Sequence, residues 1–199
     1  MSSSDLVRWS GLAALVGGVL FVVAELLGLP TLNIETFSET VTTTSFAIQQ
    51  RVFLLGVVLV LLGLVGLYVR QSEATGALGL IGFLVAFFGT VLIAGIFWAS
   101  AFIAPALATE APQFLEAGPP PGFLPTFIIF AVGWLVFGIA TLRGRGFPRP
   151  AAILLIVGAV VTILPLPFTI VVFAVAVAWL GFALFTGREA SAEQPPRVS

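Results

Sequence analysis

The sequence contains no cysteine and no histidine, and its eight basic residues are all arginine, so lysine is absent too. These absences exclude disulfides, thiol nucleophiles, imidazole bases, His-ligated haem, thiolate zinc sites and Schiff-base lysines. Charge is also scarce: 9% of the 199 residues are charged, whereas a soluble domain carries about a quarter. With a mean hydropathy of +1.18, the composition excludes both a water-soluble globule and a disordered chain.

The apolar residues make up 59% of the chain and lie in long uninterrupted runs. A helix needs about 20 apolar residues to cross roughly 30 Å of hydrocarbon. The runs therefore predict an all-α fold, a polytopic integral membrane bundle with six transmembrane helices. The predicted spans are residues 7–29, 46–69, 77–104, 123–142, 150–164 and 167–186.

The fifth predicted span is short, with a length of about 21 Å at the helical rise. A turn with two prolines, Pro165 and Pro167, separates it from the sixth span. We therefore expect this turn to lie below the membrane surface, covered by neighbouring helices. Residues 1–187 form one transmembrane domain in this prediction, and residues 188–199 form a disordered cytoplasmic tail because they are polar and contain proline.

The first apolar run follows a basic residue, as a signal peptide does. It is longer than a typical signal-peptide core, however, and no A-x-A cleavage site follows it. We interpret it as a retained transmembrane helix.

The arginines predict the orientation of the six spans. Only Arg51 falls on one side, and the other side holds the remaining seven: Arg8, Arg70, Arg143, Arg145, Arg149, Arg188 and Arg197. An arginine-rich side is typical of the cytoplasmic face, so both termini are predicted to be cytoplasmic. The cluster of Arg143, Arg145 and Arg149 also has the charge to bind anionic lipid headgroups, although topology alone explains the bias.

Glu25 is the only ionisable residue that interrupts an apolar run away from its start. A charge inside the membrane marks a binding or transport site by default. Glu25 lies close to Pro30, however, near the outer interface, and Arg51 directly precedes the apolar run of the second span at the same level. The candidate binding residues are thus Glu25 and Arg51. We favour a structural ion pair between them over a proton-transfer or substrate-binding role, and a carboxylate simply exposed to headgroups or water is the third interpretation.

The third predicted span carries small residues four positions apart, namely Gly82, Ala86, Thr90 and Ala94. This spacing predicts a seam along which another helix approaches closely. In the outer loop 105–122 the apolar residues stand between acidic ones, which favours a short helix at the membrane interface.

No phosphate-binding loop, zinc-protease motif, nucleophile elbow or dinucleotide fingerprint occurs. We therefore expect no enzymatic activity, no catalytic residue, no metal or cofactor, and no nucleic-acid partner. The leading hypothesis is a non-enzymatic scaffold or accessory subunit in the lipid bilayer. The alternative is a small transporter or permease whose cavity opens to the outer face near Glu25. A protein partner and the oligomeric state stay open.

Four stretches at helix ends carry a resemblance: RWSGLAAL at 8–15, LVGLYVRQ at 64–71, GLIGF at 79–83 and PRPAA at 148–152. In these stretches the chain resembles uncharacterised small multi-spanning membrane proteins of bacteria. The likeness covers most of the chain and consists mainly of Gly, Leu and Arg at helix ends. That group has no assigned activity, so the resemblance implies a bacterial inner membrane and carries over no catalytic residue.

Overall fold

A computed structural model of the chain describes residues 3–164 and 166–187, and its regular secondary structure in that part is entirely helical. Pro165 and the predicted tail 188–199 lie outside the described residues. The α-helices are α1 (Ser3–Leu27), α2 (Phe37–Thr42), α3 (Thr44–Phe102), α4 (Ala104–Glu110), α5 (Pro112–Glu116), α6 (Phe123–Gly144), α7 (Arg149–Val161) and α8 (Thr169–Thr186). By length and composition, four helices are able to cross a membrane (α1, α3, α6 and α8), and α7 is a shorter apolar helix.

Helix α3 is a hairpin rather than a single rod. Gly76 interrupts it with a φ of 52° and a ψ of −141°, a conformation that glycine adopts without a steric penalty. The rings of Phe53 and Phe97 stack with their centroids 4.6 Å apart, although a straight helix would separate these residues by about 66 Å. Residues 44–75 and 77–102 therefore run antiparallel, side by side.

The helix before this turn continues past the end of its apolar run. The sequence predicts a second span that ends at residue 69 and a short loop after it, whereas the structure is helical through residue 75. Arg70, Gln71, Glu73 and Ala74 are polar or small residues of high helix propensity. They end the apolar segment without ending the helix.

Six long segments form a closed ring in sequence order: α1, 44–75, 77–102, α6, α7 and α8. Each packs against the next, and α8 returns to α1. We call the end where α1 stops and α6 begins the Glu25 end, and the end where α3 turns the Gly76 end.

Glycines set the close contacts between neighbouring helices. A Cβ atom on Gly158 of α7 would lie 2.6 Å from the backbone of Phe173 in α8. The predicted seam is also present, because a Cβ on Gly82 would lie 2.7 Å from the Phe137 backbone nitrogen of α6. Further along the seam Thr90 is fully buried and accepts a hydrogen bond of 2.9 Å from the indole nitrogen of Trp134.

Aromatic rings fill the interior of the ring of helices. Phe21 lies with its ring centroid 6.4 Å from those of both Phe97 and Phe173. Phe173 in turn contacts Phe130 and Trp134, with centroids 5.1 and 4.9 Å away. We call these five residues the aromatic plug. It joins α1, α3, α6 and α8 through ring contacts.

The outside of the bundle is apolar between its two ends. Large exposed hydrophobic side chains occur on every long segment, among them Val19, Leu62, Leu84, Val132, Ile153 and Val175. Exposed apolar surface on this scale is typical of a lipid-facing protein. Charge collects at the ends instead, and five of the six arginines in the described part lie at the Gly76 end.

Candidate functional site

A pocket opens at the Glu25 end because α7 is too short to reach it. Helix α7 has 13 residues and α6 has 22, which correspond to about 20 Å and about 33 Å. The chain leaves α7 at Val161, and residues on both sides of Pro165 then line a pocket of about 470 Å³ together with the ends of α1, α3, α6 and α8.

The walls of this pocket, which we call the Glu25 pocket, are mostly aromatic and aliphatic. Phe53 and Phe97 stack almost in parallel, with an interplanar angle of 4°. Phe123 and Phe127, one turn apart in α6, have centroids 4.9 Å apart. The polar side chains in the lining are one carboxylate and two hydroxyls, from Glu25, Thr162 and Thr169.

Glu25 is half-buried and faces the start of α8. Its carboxylate interacts with the backbone N–H of Phe168, the residue that precedes α8 and has a left-handed φ of 63°. The N-terminal end of a helix carries a partial positive charge, which stabilises an adjacent anion. Glu25 therefore connects α1 to the turn before α8.

Arg51 points away from this pocket. Its side chain is exposed, and its guanidinium carbon lies 5.8 Å from the centre of the Phe102 ring. Leu55, one turn further along, is exposed on the same face of the helix. Across the described residues no ion pair connects Arg51 to Glu25, and each side chain has a different partner.

The structure therefore does not form the pair that equal depth in the membrane suggests. Depth alone does not fix the direction in which a helical side chain points, and these two residues lie on differently oriented helix faces. A binding role for either residue stays a prediction.

The hydroxyls of the Glu25 pocket are already engaged with the backbone. Thr162 donates to the carbonyl oxygen of Ala159 at 2.8 Å, and Thr169 donates to that of Leu166 at 3.1 Å. Over the described residues, no three acidic, histidine or cysteine side chains gather as a metal site would need. The pocket thus offers one anionic acceptor in aromatic surroundings, without the acid–base pair that general catalysis uses.

Three short helices form a cover at the Glu25 end beside the pocket. The predicted interfacial segment 105–122 contains most of α4 and all of α5, which pack against α2. The buried residues between them are Val41 of α2, Ala104 of α4 and Phe46 from the start of α3. The backbone N–H of Ser38 donates to Glu116 at 2.9 Å. Hydrogen bonds from the hydroxyl and the backbone of Ser38 hold the pKa of the exposed Glu116 carboxyl below its usual value.

The Gly76 end has a second, shallower pocket, of about 850 Å³, that contains Arg8, Arg70 and Glu73. The Arg8 guanidinium lies 4.9 Å from the centre of the Phe185 ring. The three arginines predicted to bind lipid, Arg143, Arg145 and Arg149, are all exposed at this end.

Gln71 is a buried polar residue that is not among the candidates predicted from the sequence. Its side chain is 2% exposed, and neither its amide nitrogen nor its amide oxygen has a hydrogen-bond partner in the described part of the chain. Helical periodicity contains the signal, because Leu64, Leu67 and Gln71 follow the i, i+3, i+7 spacing of one buried face.

Comparison with known proteins adds no relative from which a function transfers. No family model matches the sequence, and neither a curated protein nor a solved structure matches it. The function is therefore inferred from the helices, their packing and their charges.

Proposed function

We propose that the chain is a six-span integral protein of the bacterial inner membrane, with both termini in the cytoplasm, and that it acts without catalysis as a scaffold or accessory subunit. The Gly76 hairpin supports two spans within α3. The short α7, followed by a turn that lines a pocket between neighbouring helices, supports a fifth span that stops below the outer surface.

The orientation rests on charge. The Gly76 end holds Arg8, Arg70, Arg143, Arg145 and Arg149, whereas Arg51 is the arginine of the Glu25 end among the described residues. An arginine-rich end belongs on the cytoplasmic side. The Glu25 end is then the outer end, and the exposed cluster from Arg143 to Arg149 faces the anionic headgroups of the inner leaflet.

The observation that carries the scaffold assignment is the aromatic plug. A transporter that alternates its access needs polar groups near the middle of the membrane. Here the interior contains Phe21, Phe130, Trp134 and Phe173, each at most 2% exposed. The described ionisable residues lie toward the two ends of the bundle, so no chain of charges leads through it.

The second candidate is a small transporter or permease with a cavity that opens to the outer face near Glu25. The Glu25 pocket favours it, because the pocket is a concave site with one charged group, Glu25, in its lining. The aromatic plug weighs against it, since transport requires these rings to separate.

Cysteine accessibility distinguishes the two candidates. The chain has no native cysteine, so Val57→Cys and Val177→Cys each introduce one thiol at a fully buried core position. We expect neither thiol to react with a water-soluble maleimide from either side of the membrane, while Thr109→Cys, on the exposed surface, reacts. Labelling of the core thiols would favour the transporter.

A direct test of the scaffold role is purification of the tagged chain in a mild detergent, with quantitative mass spectrometry. We expect one protein to co-purify at a fixed molar ratio and to recover this chain when the tag is moved to that partner. Purification of the chain alone, combined with reactive core thiols, would contradict the proposal.

A further inference from the structure

We propose that the Glu25 pocket binds a monovalent organic cation with apolar substituents. This inference goes beyond a scaffold role and does not depend on it. It rests on the juxtaposition of one half-buried carboxylate with four phenylalanine rings in a pocket closed at its inner side.

The carboxylate supplies the charge that the ligand must complement. An ionised carboxylate has two oxygens with about four lone-pair sites, and the backbone N–H of Phe168 is the partner of Glu25. Arg51 faces away, and among the described residues no ion pair occupies Glu25. Burial removes part of the hydration of the carboxylate, and a bound cation compensates for this loss.

The aromatic walls select the type of cation. A cation within about 6 Å of a phenyl ring face is attracted to its negative quadrupole, and cages of such rings recognise alkylated cations. Phe53 and Phe97 form one wall of the pocket, and Phe123 and Phe127 form another. These rings provide no ligand atoms for a hydrated metal ion. Apolar substituents on an organic cation, in contrast, bury their surface against the rings.

The oxygens of the pocket are too few for an inorganic divalent ion. Calcium takes six to eight oxygen ligands, but the side chains of the lining supply only the Glu25 carboxylate and the hydroxyls of Thr162 and Thr169. The volume of about 470 Å³ lies within the roughly 300–1,000 Å³ that is typical of small-molecule sites.

The pocket is blind on its inner side. Phe53 and Phe97 line it, and both contact Phe21 of the aromatic plug, with ring centroids 5.5 and 6.4 Å apart. A ligand bound there therefore meets the aromatic plug, so the geometry describes binding and release rather than passage.

Equilibrium binding of radiolabelled tetraphenylphosphonium to the full-length protein in detergent micelles tests the proposal. We expect saturable binding of one cation per chain, and at least about a tenfold weaker affinity in Glu25→Gln, which corresponds to the loss of one favourable charge contact. The matched control is Glu39→Gln, an acidic residue of the cover outside the pocket lining, whose affinity we expect to equal that of the wild type.

A second pair of variants tests the aromatic walls and does not depend on the folding of Glu25→Gln. We expect Phe127→Leu to weaken tetraphenylphosphonium binding by at least about threefold through loss of a cation–π contact. Phe114→Leu replaces a ring that is 69% exposed and outside the pocket and is expected to leave binding unchanged. Tetraphenylborate, an anion of the same shape, is expected not to compete.

The same chemistry has two sources, a soluble organic cation or the ammonium group of a lipid. Competition of tetraphenylphosphonium with short-chain phosphatidylethanolamine identifies a lipid headgroup, and competition with a soluble alkylammonium alone identifies a free cation. Equal affinity in wild type, Glu25→Gln and Phe127→Leu, or equal competition by tetraphenylborate, would overturn the proposal and would leave the scaffold role intact.

Discussion

The same two helical segments, residues 77–102 and α6, pack in opposite ways at their two ends. From the Gly76 end to the middle of the segments they touch backbone to backbone, with Gly82 against Phe137 and Gly89 against Phe130. At the Glu25 end, Phe97 and Phe127 stand at positions that line an open pocket. Small residues thus close the bundle where nothing needs to enter, and large rings beside a short helix leave a space where α7 has ended.

The largest effect is expected from adding a methyl group to the closed part. A Cβ on Gly89 would lie 2.6 Å from the backbone of Phe130, which no rotamer change relieves. We expect Gly89→Ala to lower the free energy of unfolding by about 2 kcal/mol, within the range of overpacked cores. Detergent-titrated unfolding of the purified protein measures this change.

Gly95 gives the matched control on the same segment. No atom lies within 4 Å of the position of its Cβ, so we expect Gly95→Ala to stay within about 1 kcal/mol of the wild type. An equal loss in both variants would show that general helix effects, rather than the seam, govern this helix.

A substitution of Gln71 tests how tightly the helices pack near the Gly76 end. Its buried amide lacks a partner in the described part of the chain, and an unsatisfied buried polar group costs about 1–3 kcal/mol. We expect Gln71→Met to raise the free energy of unfolding by about 1–2 kcal/mol in the same assay. The exposed Gln113→Met serves as the control with no expected change, and a loss of stability in Gln71→Met would reveal a partner for this amide.

The hydrogen bond between helices in the seam has a smaller expected effect. Trp134 donates to Thr90, which itself donates to the carbonyl oxygen of Ala86 at 2.6 Å. Polar contacts between membrane helices contribute about 0.6–1.7 kcal/mol, so we expect Thr90→Val to cost about 1 kcal/mol. Thr90→Ser keeps the hydroxyl and should cost less than half as much; equal costs would assign the effect to packing alone.

The smallest effect concerns the cover at the open end. Hydrogen bonds from Ser38 hold the pKa of Glu116 below 4.5. A lowered pKa in the folded state means that the contribution to stability is present above the unfolded pKa and is lost as pH falls through the folded value. We expect the amide resonance of Ser38 in NMR spectra to titrate at a lower pH than a free glutamate carboxyl does. Glu116→Gln should abolish this titration, and a midpoint equal to or above that of a free glutamate would contradict the contact.

The seam and the short fifth span were predictable from the sequence, whereas the residues that line the pocket were not. Gly82, Ala86 and Thr90 recur every fourth residue, and such local spacing reports directly on a helix face. The lining depends on which side chains of α1, α3, α6 and α8 meet at the end of α7, and on Phe168, whose left-handed conformation no residue preference indicates. These features follow from tertiary packing.

For Glu25, the sequence identifies the residue as exceptional but does not identify its partner. Its exceptional position within an apolar run makes it a candidate, and the structure places it in a pocket lining. Its predicted partner came from depth alone. The direction in which the Arg51 side chain points and the position of α8 next to Glu25 both depend on how the helices pack. Neither can be predicted from the sequence alone.

The measurement that tests the six-span arrangement most directly is thiol labelling in intact cells, because the chain has no cysteine of its own. Ser72→Cys, in the last helical turns before Gly76, and Gly146→Cys, between α6 and α7, mark the Gly76 end. Thr109→Cys and Gln113→Cys mark the cover. We expect an impermeant maleimide to label the two cover thiols in intact cells and the other two only after the membrane is opened. Labelling of Ser72→Cys and Gly146→Cys from outside, or of one but not the other, would contradict six spans with an inner arginine-rich end.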